Sequence, residues 1–299
     1  ISGIRSLGPL LIEQGTPEQR ARFLIPMLSG RDLWCQGFSE PGAGSDLAAI
    51  STRAVREGDH YIVNGSKIWT TGAHHANWMF AIVRTDDSGK RQQGLTFLLI
   101  DMASPGLSVK PIIGLAGDHE FNQVFFDDVR VPAAQRIGAE NDGWTMAKRL
   151  MQLARSNNTP AALVGRVLRR TAEAVVAAGD RLEPSVRMRL AELMIELEAF
   201  EQLELSGFAA GPVRLGDQAL PSMLKLTGSE LHQRVAELAM EVAGPQAAAT
   251  LDAIGLAGAE LDVGAKASAK HLCVRAATIY SGTSETQRNV IAHQILANR

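Results

Sequence analysis

The stretch WCQGFSEPGAGSDLAA, residues 34–49, opens like a strand and then runs into a polar loop in which Gly42 and Gly44 flank Ala43. Small residues there let backbone N–H groups approach a ligand closely, and Ser39 and Ser45 add hydroxyl donors. A Pro- and Gly-rich turn between two strands needs no ligand. This stretch alone therefore leaves an anion or cofactor loop and a bare connection both open.

Outward from it the chain changes character twice. On the N-terminal side, the order Thr-Pro-Glu-Gln from Thr16 places a capping threonine before Pro17 at the first helical position. Phe23, Leu24 and Met27 follow on one face, so a short helix is expected from Thr16 to Leu28. From about Leu33 to Val131 the pattern becomes strand-length apolar runs, such as Tyr61–Val63, Trp78–Val83, Leu95–Ile100 and Val124–Phe126. Turn signals at Glu57-Gly58-Asp59 and Asn64-Gly65 point to tightly connected antiparallel strands. Beyond Pro132 the strand signal stops, and apolar spacing near 3.6 takes over. One stripe is Val186, Leu190, Leu193, Leu197 and Phe200; another is Leu224, Leu231, Val235, Leu238 and Val242. Both read as the core of an antiparallel bundle of roughly four helices, with breaks at Gly179–Pro184, Gly211–Pro221 and Gly244-Pro245.

The 299 residues are 45% hydrophobic and 21% charged, which supplies ample apolar side chains for one or two cores. The balance of 30 Lys+Arg against 32 Asp+Glu offers no broad cationic field for nucleic acid or an anionic membrane. Cys35 and Cys273 make no disulfide framework and suit a reducing compartment, so the chain reads as cytosolic. The longest early apolar stretch, Leu7–Ile12, is too short for a membrane span. The chain opens at Ile1, which suggests missing or processed residues before it.

SEPGAGSD is followed by NGSKIWTTGAHHANW (64–78), FNQVFFDDVRVP (121–132) and IYSGTSETQRNVIA (279–292). In order and spacing these segments resemble the hallmark segments of acyl-CoA dehydrogenases, with AHHANW and HEFN closest to bacterial enzymes for dicarboxylyl, aromatic or steroid-derived acyl-CoA. The resemblance runs from about Gly8 to the C-terminus. It implies an α+β fold: a remnant of an N-terminal helical domain (1–32), a middle antiparallel β-barrel (33–140) and a C-terminal four-helix bundle (141–299). It also implies FAD, an acyl-CoA substrate, electron-transfer flavoprotein or a similar acceptor, and a homo- or hetero-oligomer.

Carried over residue by residue, Gln36, Phe38, Ser39 and Ser45 match positions lining the isoalloxazine ring, and Ser45 also faces substrate. Trp69 and Thr71 match the pair that packs on the flavin and hydrogen-bonds near N5, where a hydroxyl donor stabilises the negative charge of hydride transfer. Thr283 and Glu285 match contacts to the adenosine part of FAD, and Arg155 matches an arginine near substrate, with a bundle salt bridge as its alternative. His74 and His75 lack a third ligand at metal spacing and read as surface or structural residues.

Three departures stand out. The family's Phe-Gly-Gly-x-Gly turn, which helps bind a neighbouring subunit's FAD, is Val242-Ala243-Gly244-Pro245-Gln246 here, and Pro245 removes an N–H. The loop after Gly179 is short, leaving Arg187 as a candidate pyrophosphate arginine. Most importantly, the catalytic base is missing. Relatives place a Glu either just before Gly-Thr-Ser, which is Ser281 here, or directly before the bundle arginine, which is Ala154 here. Removing an α proton requires a positioned carboxylate, and neither serine nor alanine provides one. The backbone N–H of Ser281 would still polarise a thioester carbonyl, so acyl-CoA binding does not require the lost Glu. Three readings follow: Ala154 is an introduced replacement, the chain is the base-less subunit of a mixed oligomer, or the flavin serves another task.

Overall fold

Thr16 caps a helix as its sequence predicts. Its hydroxyl accepts the Gln19 N–H at 3.2 Å, and the Gln19 side chain accepts the Thr16 N–H at 3.0 Å, which satisfies two otherwise open donors. In this computed structural model, which describes residues 2–155, 159–209, 219–248 and 263–297, α1 (Gly8–Gln14) leads into that helix, α2 (Pro17–Leu28). Side chains at 152–155, 208, 246, 248, 263–266 and 297 lie outside the description, and with them those of Ala154, Arg155 and Gln246. The chain divides into two units, Ile1–Gly114 with His119–Ala154, and Leu115–Asp118 with Arg155–Arg299.

In the first unit the strands are β1 (Trp34–Gly37), β2 (Arg53–Glu57), β3 (His60–Lys67), β4 (Trp78–Arg84), β5 (Leu95–Asp101), β6 (Leu107–Ile112), β7 (Phe121–Pro132) and β8 (Arg136–Ile137). They form one sheet in the order β6-β7-β3-β2-β4-β5-β8, with β1 also on β4. The unbroken apolar runs of β4 and β5 are explained by cover on both faces. Phe80 and Ile82 enter a core shared with Phe23, Met27 and Trp34, whereas Met79, Ala81 and Val83 enter a second one with Tyr61, Val63 and Val129. Phe23 of α2 meets Trp34 and Trp78 edge-on, with ring centroids 5.4 and 5.0 Å away, and so seats the helix on the sheet.

Three details differ from the sequence reading. The sheet is mixed: β1 pairs with β4 in parallel, as does the single β2–β4 bridge at Arg53 and Arg84. A hairpin cannot join parallel neighbours, and β1 reaches β4 through a crossover containing β2 and β3. Asn64-Gly65 is no chain-reversing turn but lies within β3, opposite a bulge in which β7 carries the extra residue and the pairing shifts between Val63 and Gly65. Glycine is required there, since φ is 142° and a Cβ would lie 2.8 Å from the Thr52 Cα. Finally, strand structure continues past Pro132 as β8, which at two residues is too short to leave a periodic signal.

α3 (Gly143–Arg155) closes the first unit. The second holds α4 (Ala161–Ala178), α5 (Pro184–Ala209), α6 (Ala219–Ala243), α7 (Val263–Val274) and α8 (Ser284–Ala297). Both expected stripes lie in one core there: Val186, Leu193 and Phe200 of α5 against Leu224, Leu231, Val235 and Leu238 of α6, with Val164 and Leu168 of α4. The last member of the expected four-helix arrangement is broken into α7 and α8. Ser281 and Gly282, with φ 55° and 87°, take left-handed conformations that no α-helix continues through.

Candidate functional site

The quoted loop is shaped from below. Glu40 and Ala43 exchange two backbone hydrogen bonds of 2.9 and 3.0 Å, closing the turn over Pro41 and Gly42. Neither Gly42 nor Gly44 has a positive φ, and a Cβ on either would meet nothing within 4 Å. Neither the fold nor the packing demands glycine at these positions. What the glycines provide is bare backbone at an open surface, the property a closely approaching ligand uses.

Beneath the loop lies an ion pair that the sequence reading missed. Lys67 Nζ donates to Glu40 Oε1 at 2.7 Å and to the carbonyls of Ile82 (2.7 Å) and Phe38 (3.3 Å). Glu40 also accepts the N–H groups of Ser51 (2.7 Å) and Thr52 (3.0 Å) and the Ser51 hydroxyl (2.8 Å). Both side chains are buried. Burial pushes the Lys67 ammonium down to about 8 against the pull of Glu40. Burial would raise Glu40, but Lys67, Thr52 and Ser51 outweigh it and hold the carboxyl below its usual range. Plain alternation from Tyr61 and Val63 points position 67 inward, and a lysine there was the available signal.

The loop and the second motif meet. The Ile68 N–H donates to the Ser39 carbonyl at 2.9 Å, which sets half-buried Ser39 beside the segment 69–71. Trp69 is 58% exposed and has φ 59°, a conformation costing a bulky residue about 1–3 kcal/mol. Thr70 N–H donates to the Asn122 carbonyl (3.0 Å) and Gly72 N–H to the Glu120 carbonyl (2.9 Å), which hold the segment on the start of β7. Thr71 is exposed, and the Thr70 hydroxyl is buried with no hydrogen-bond partner among the described residues. Gln36 is half-buried on β1, and Ser45 is exposed. Phe38 is 5% exposed and packs edge-on against Phe80 and Phe97 at 5.9 and 6.1 Å, so it supports the loop from within the core.

In the second unit, Thr283 caps α8: its Oγ1 accepts the Thr286 N–H at 3.2 Å. Glu285, one residue into the helix, is held below the usual carboxylate range by its own backbone N–H and the Thr283 hydroxyl. Capping accounts for both residues without a ligand. Ser281 is exposed and carries no carboxylate. Its carbonyl accepts from Gln287 Nε2 at 3.0 Å, and that side chain is 1% exposed. Arg187 is engaged with its own loop, donating to the Gly179 carbonyl (2.7 Å) and Asp180 (3.0 Å). Gly244-Pro245 begins a short helical turn, Gly244–Ala248, entered through Gly244 at φ 57°. Among the described residues no group of three His, Cys, Asp or Glu could hold a metal ion, and no helix is long and apolar enough to cross a membrane.

Two family models match: "Acyl-CoA dehydrogenase, middle domain" over residues 35–129 and "Acyl-CoA dehydrogenase, C-terminal domain" over 141–296. The chain is 37% identical to acyl-CoA dehydrogenase IpdE1 of Mycobacterium tuberculosis, over 98% of this chain and 74% of that protein. It is 36% identical to acyl-CoA dehydrogenase FadE34 of the same organism, over 96% of this chain and 38% of that protein. Among solved structures, the ChsE4-ChsE5 complex from Mycobacterium tuberculosis is similar with TM-score 0.85 and 30% identity, covering 99% of this chain and 76% of that one. The Tcur3481-Tcur3483 steroid ACAD is similar with TM-score 0.85 and 29% identity, covering 98% and 75%.

Proposed function

The chain belongs to the acyl-CoA dehydrogenase family, whose members are FAD-dependent oxidoreductases, and from that premise we propose that it binds FAD and an acyl-CoA thioester but lacks the carboxylate that starts α,β-dehydrogenation. The observation that carries the reading is the joined surface of Ser39, Trp69 and Thr71, where the hydrogen bond from Ile68 to Ser39 sets two motifs side by side. That surface fits a flavin: it offers open glycines at 42 and 44, an exposed indole for a ring to pack on and exposed hydroxyls as donors.

When bound, FAD supplies the acceptor for the β hydrogen, which leaves as hydride. This chain's own contribution is to orient and stabilise. The Thr71 hydroxyl is suited to donate toward the ring position that gains negative charge, and Trp69 to cover the ring and exclude water. Gln36, Ser39 and Ser45 are proposed to line the ring side, and Ser45 with Arg155 the substrate. Thr283 and Glu285 are proposed as adenosine-side contacts. At Ser281 the N–H is suited to polarise the thioester carbonyl, and the pinned carbonyl keeps that peptide in place. No group at 281 or 154 can accept the α proton.

A second reading has a specific observation behind it. The similar ChsE4-ChsE5 structure is a complex of two named chains, so a chain without the base would serve as the FAD-sharing member of a hetero-oligomer beside a chain that has one. The proposed acyl group is steroid-derived, dicarboxylyl or aromatic.

FAD titrated into the cofactor-free chain is expected to quench tryptophan fluorescence, with most of the quenching lost in Trp69→Phe. Thr71→Val should leave binding within a few-fold. Affinity should be weaker than a stoichiometric flavoprotein's, or rise with a partner chain, because Pro245 and the short loop after Gly179 take away contacts. A chain that takes up no FAD, alone or with a partner, would overturn the proposal.

A further inference from the structure

Asn122 reads in the sequence as a polar residue at the start of a strand, yet it is fully buried. Its backbone oxygen accepts the Thr70 N–H at 3.0 Å, and its side-chain Nδ2 lies 3.0 Å from the Thr70 carbonyl and 3.0 Å from His74 Nδ1. Its Oδ1 lies 2.8 Å from His119 Nε2. A carbonyl only accepts, so the atom facing Thr70 must be the amide nitrogen, which fixes the orientation of the amide. Its second hydrogen then points at His74 Nδ1, which must be unprotonated to receive it. The amide oxygen in turn requires a proton on His119 Nε2. One amide thus assigns the protonation of both rings.

The rings are packed closely. His74 and His119 stack at 3.9 Å between centroids with 18° between planes, and His75 lies 3.9 Å from His74 at 51°. His74, His119 and Asn122, with Met102, Val109 and Pro111, line a cleft of about 310 Å³ open to solvent, so protons can reach the imidazoles. The strained Trp69 sits one residue from the other end of the network, and its ring meets Phe121 edge-on at 6.1 Å.

We propose that His74, Asn122 and His119 form a latch that fixes the Trp69–Thr71 segment and lets go of it when His74 takes up a proton. Protonation at Nδ1 would turn an acceptor into a donor facing the Asn122 N–H and place a cation against two imidazoles. The strain at Trp69 would then lose part of what holds it. Burial first, then His119 and His75, hold the His74 imidazolium below its ordinary pKa. The sign follows. The folded state prefers neutral His74, so the latch contributes fully above the ordinary imidazole pKa and is lost as pH falls through the lower folded value. The helical turn Ala73–His75 packs against β1, β6 and β7. The titratable and charged residues of those elements are Cys35 on β1, Lys110 on β6, and Asp127, Asp128 and Arg130 on β7, with His119 and Glu120 just before it. Cys35 stays neutral, its buried thiol being pushed up to about 12.

The bearing of the latch on the flavin rests on the proposed placement of Thr71, and the test separates the two. The four tryptophans are replaced biosynthetically by 5-fluorotryptophan, and the Trp69 resonance is assigned by its loss in Trp69→Phe. In the cofactor-free chain, the Trp69 fluorine signal is expected to titrate with a midpoint below that of a free imidazole. The change should disappear in His74→Gln. His119→Gln, which keeps a donor to Asn122 and removes the neighbouring ring, should raise the midpoint, and it decides the matter if the first variant does not fold. A Trp69 signal unchanged from neutral to mildly acidic pH, a titration persisting in His74→Gln, or an unmoved midpoint in His119→Gln would overturn the proposal. In the FAD-loaded chain the flavin absorption should shift over the same range. A titrating Trp69 beside an unresponsive flavin would leave the latch standing and take Thr71 away from the ring.

Discussion

Ala154→Glu is expected to raise acyl-CoA-dependent dye reduction by about 10²–10⁴-fold over the unmodified chain, the range that a positioned general base contributes. Position 154 is the better site for rescue because Arg155 follows it, as an arginine follows the Glu in one group of relatives. Ser281→Glu should give less. Ser281 is exposed in its unit, and its φ of 55° is one that any residue with a Cβ, serine or glutamate, adopts at a cost of order 1–3 kcal/mol. The Gln287 clamp on the Ser281 carbonyl must hold against that cost. Steady-state turnover of the two variants with one acyl-CoA panel, at matched FAD content, checks the order. Rescue at 281 and none at 154 would show that the base belongs on the other segment.

The second large effect concerns the loop's foundation. Lys67→Met leaves the Glu40 carboxylate buried without its cation, and removing one member of a buried pair costs about 3–5 kcal/mol. Glu40 keeps its bonds from Ser51 and Thr52, so the loss should fall toward the lower end. The double variant Lys67→Met/Glu40→Leu should recover a good part of it, because the stranded charge is gone. Both should lose FAD affinity, since Lys67 also ties down the Phe38 carbonyl at the root of the loop. Denaturant midpoints measure the first effect and FAD titration the second. A Lys67→Met midpoint matching the parent would mean that the pair contributes nothing.

What could be read from the sequence, and what could not, follows from range. The capping box of α2 involves residues three apart, and the stripes of α5 and α6 repeat within one element, so local order carries them. The runs of β4 and β5 announce double cover by composition alone. The buried Glu40–Lys67 pair joins residues 27 apart, and the Asn122–His74 bond joins residues 48 apart. Both depend on sheet register, which a bulge in β7 opposite Gly65 alters, and a single sequence leaves that register open. His119 escaped notice for the same reason: next to Glu120 it reads as loop, and only the sheet stacks it on His74. At the site, the family segments identified Ser39, Trp69 and Thr71. Their adjacency needed the hydrogen bond from Ile68 to Ser39.

The central claim is that this chain carries a flavin face and a thioester-polarising backbone without a base. Anaerobic stopped-flow mixing of the FAD-loaded, unmodified chain with a panel of acyl-CoAs addresses it directly. At least one acyl-CoA is expected to perturb the flavin spectrum on binding while the flavin stays oxidised over the time in which Ala154→Glu bleaches. Fast bleaching of the unmodified chain would contradict it and place a working base somewhere other than positions 154 and 281.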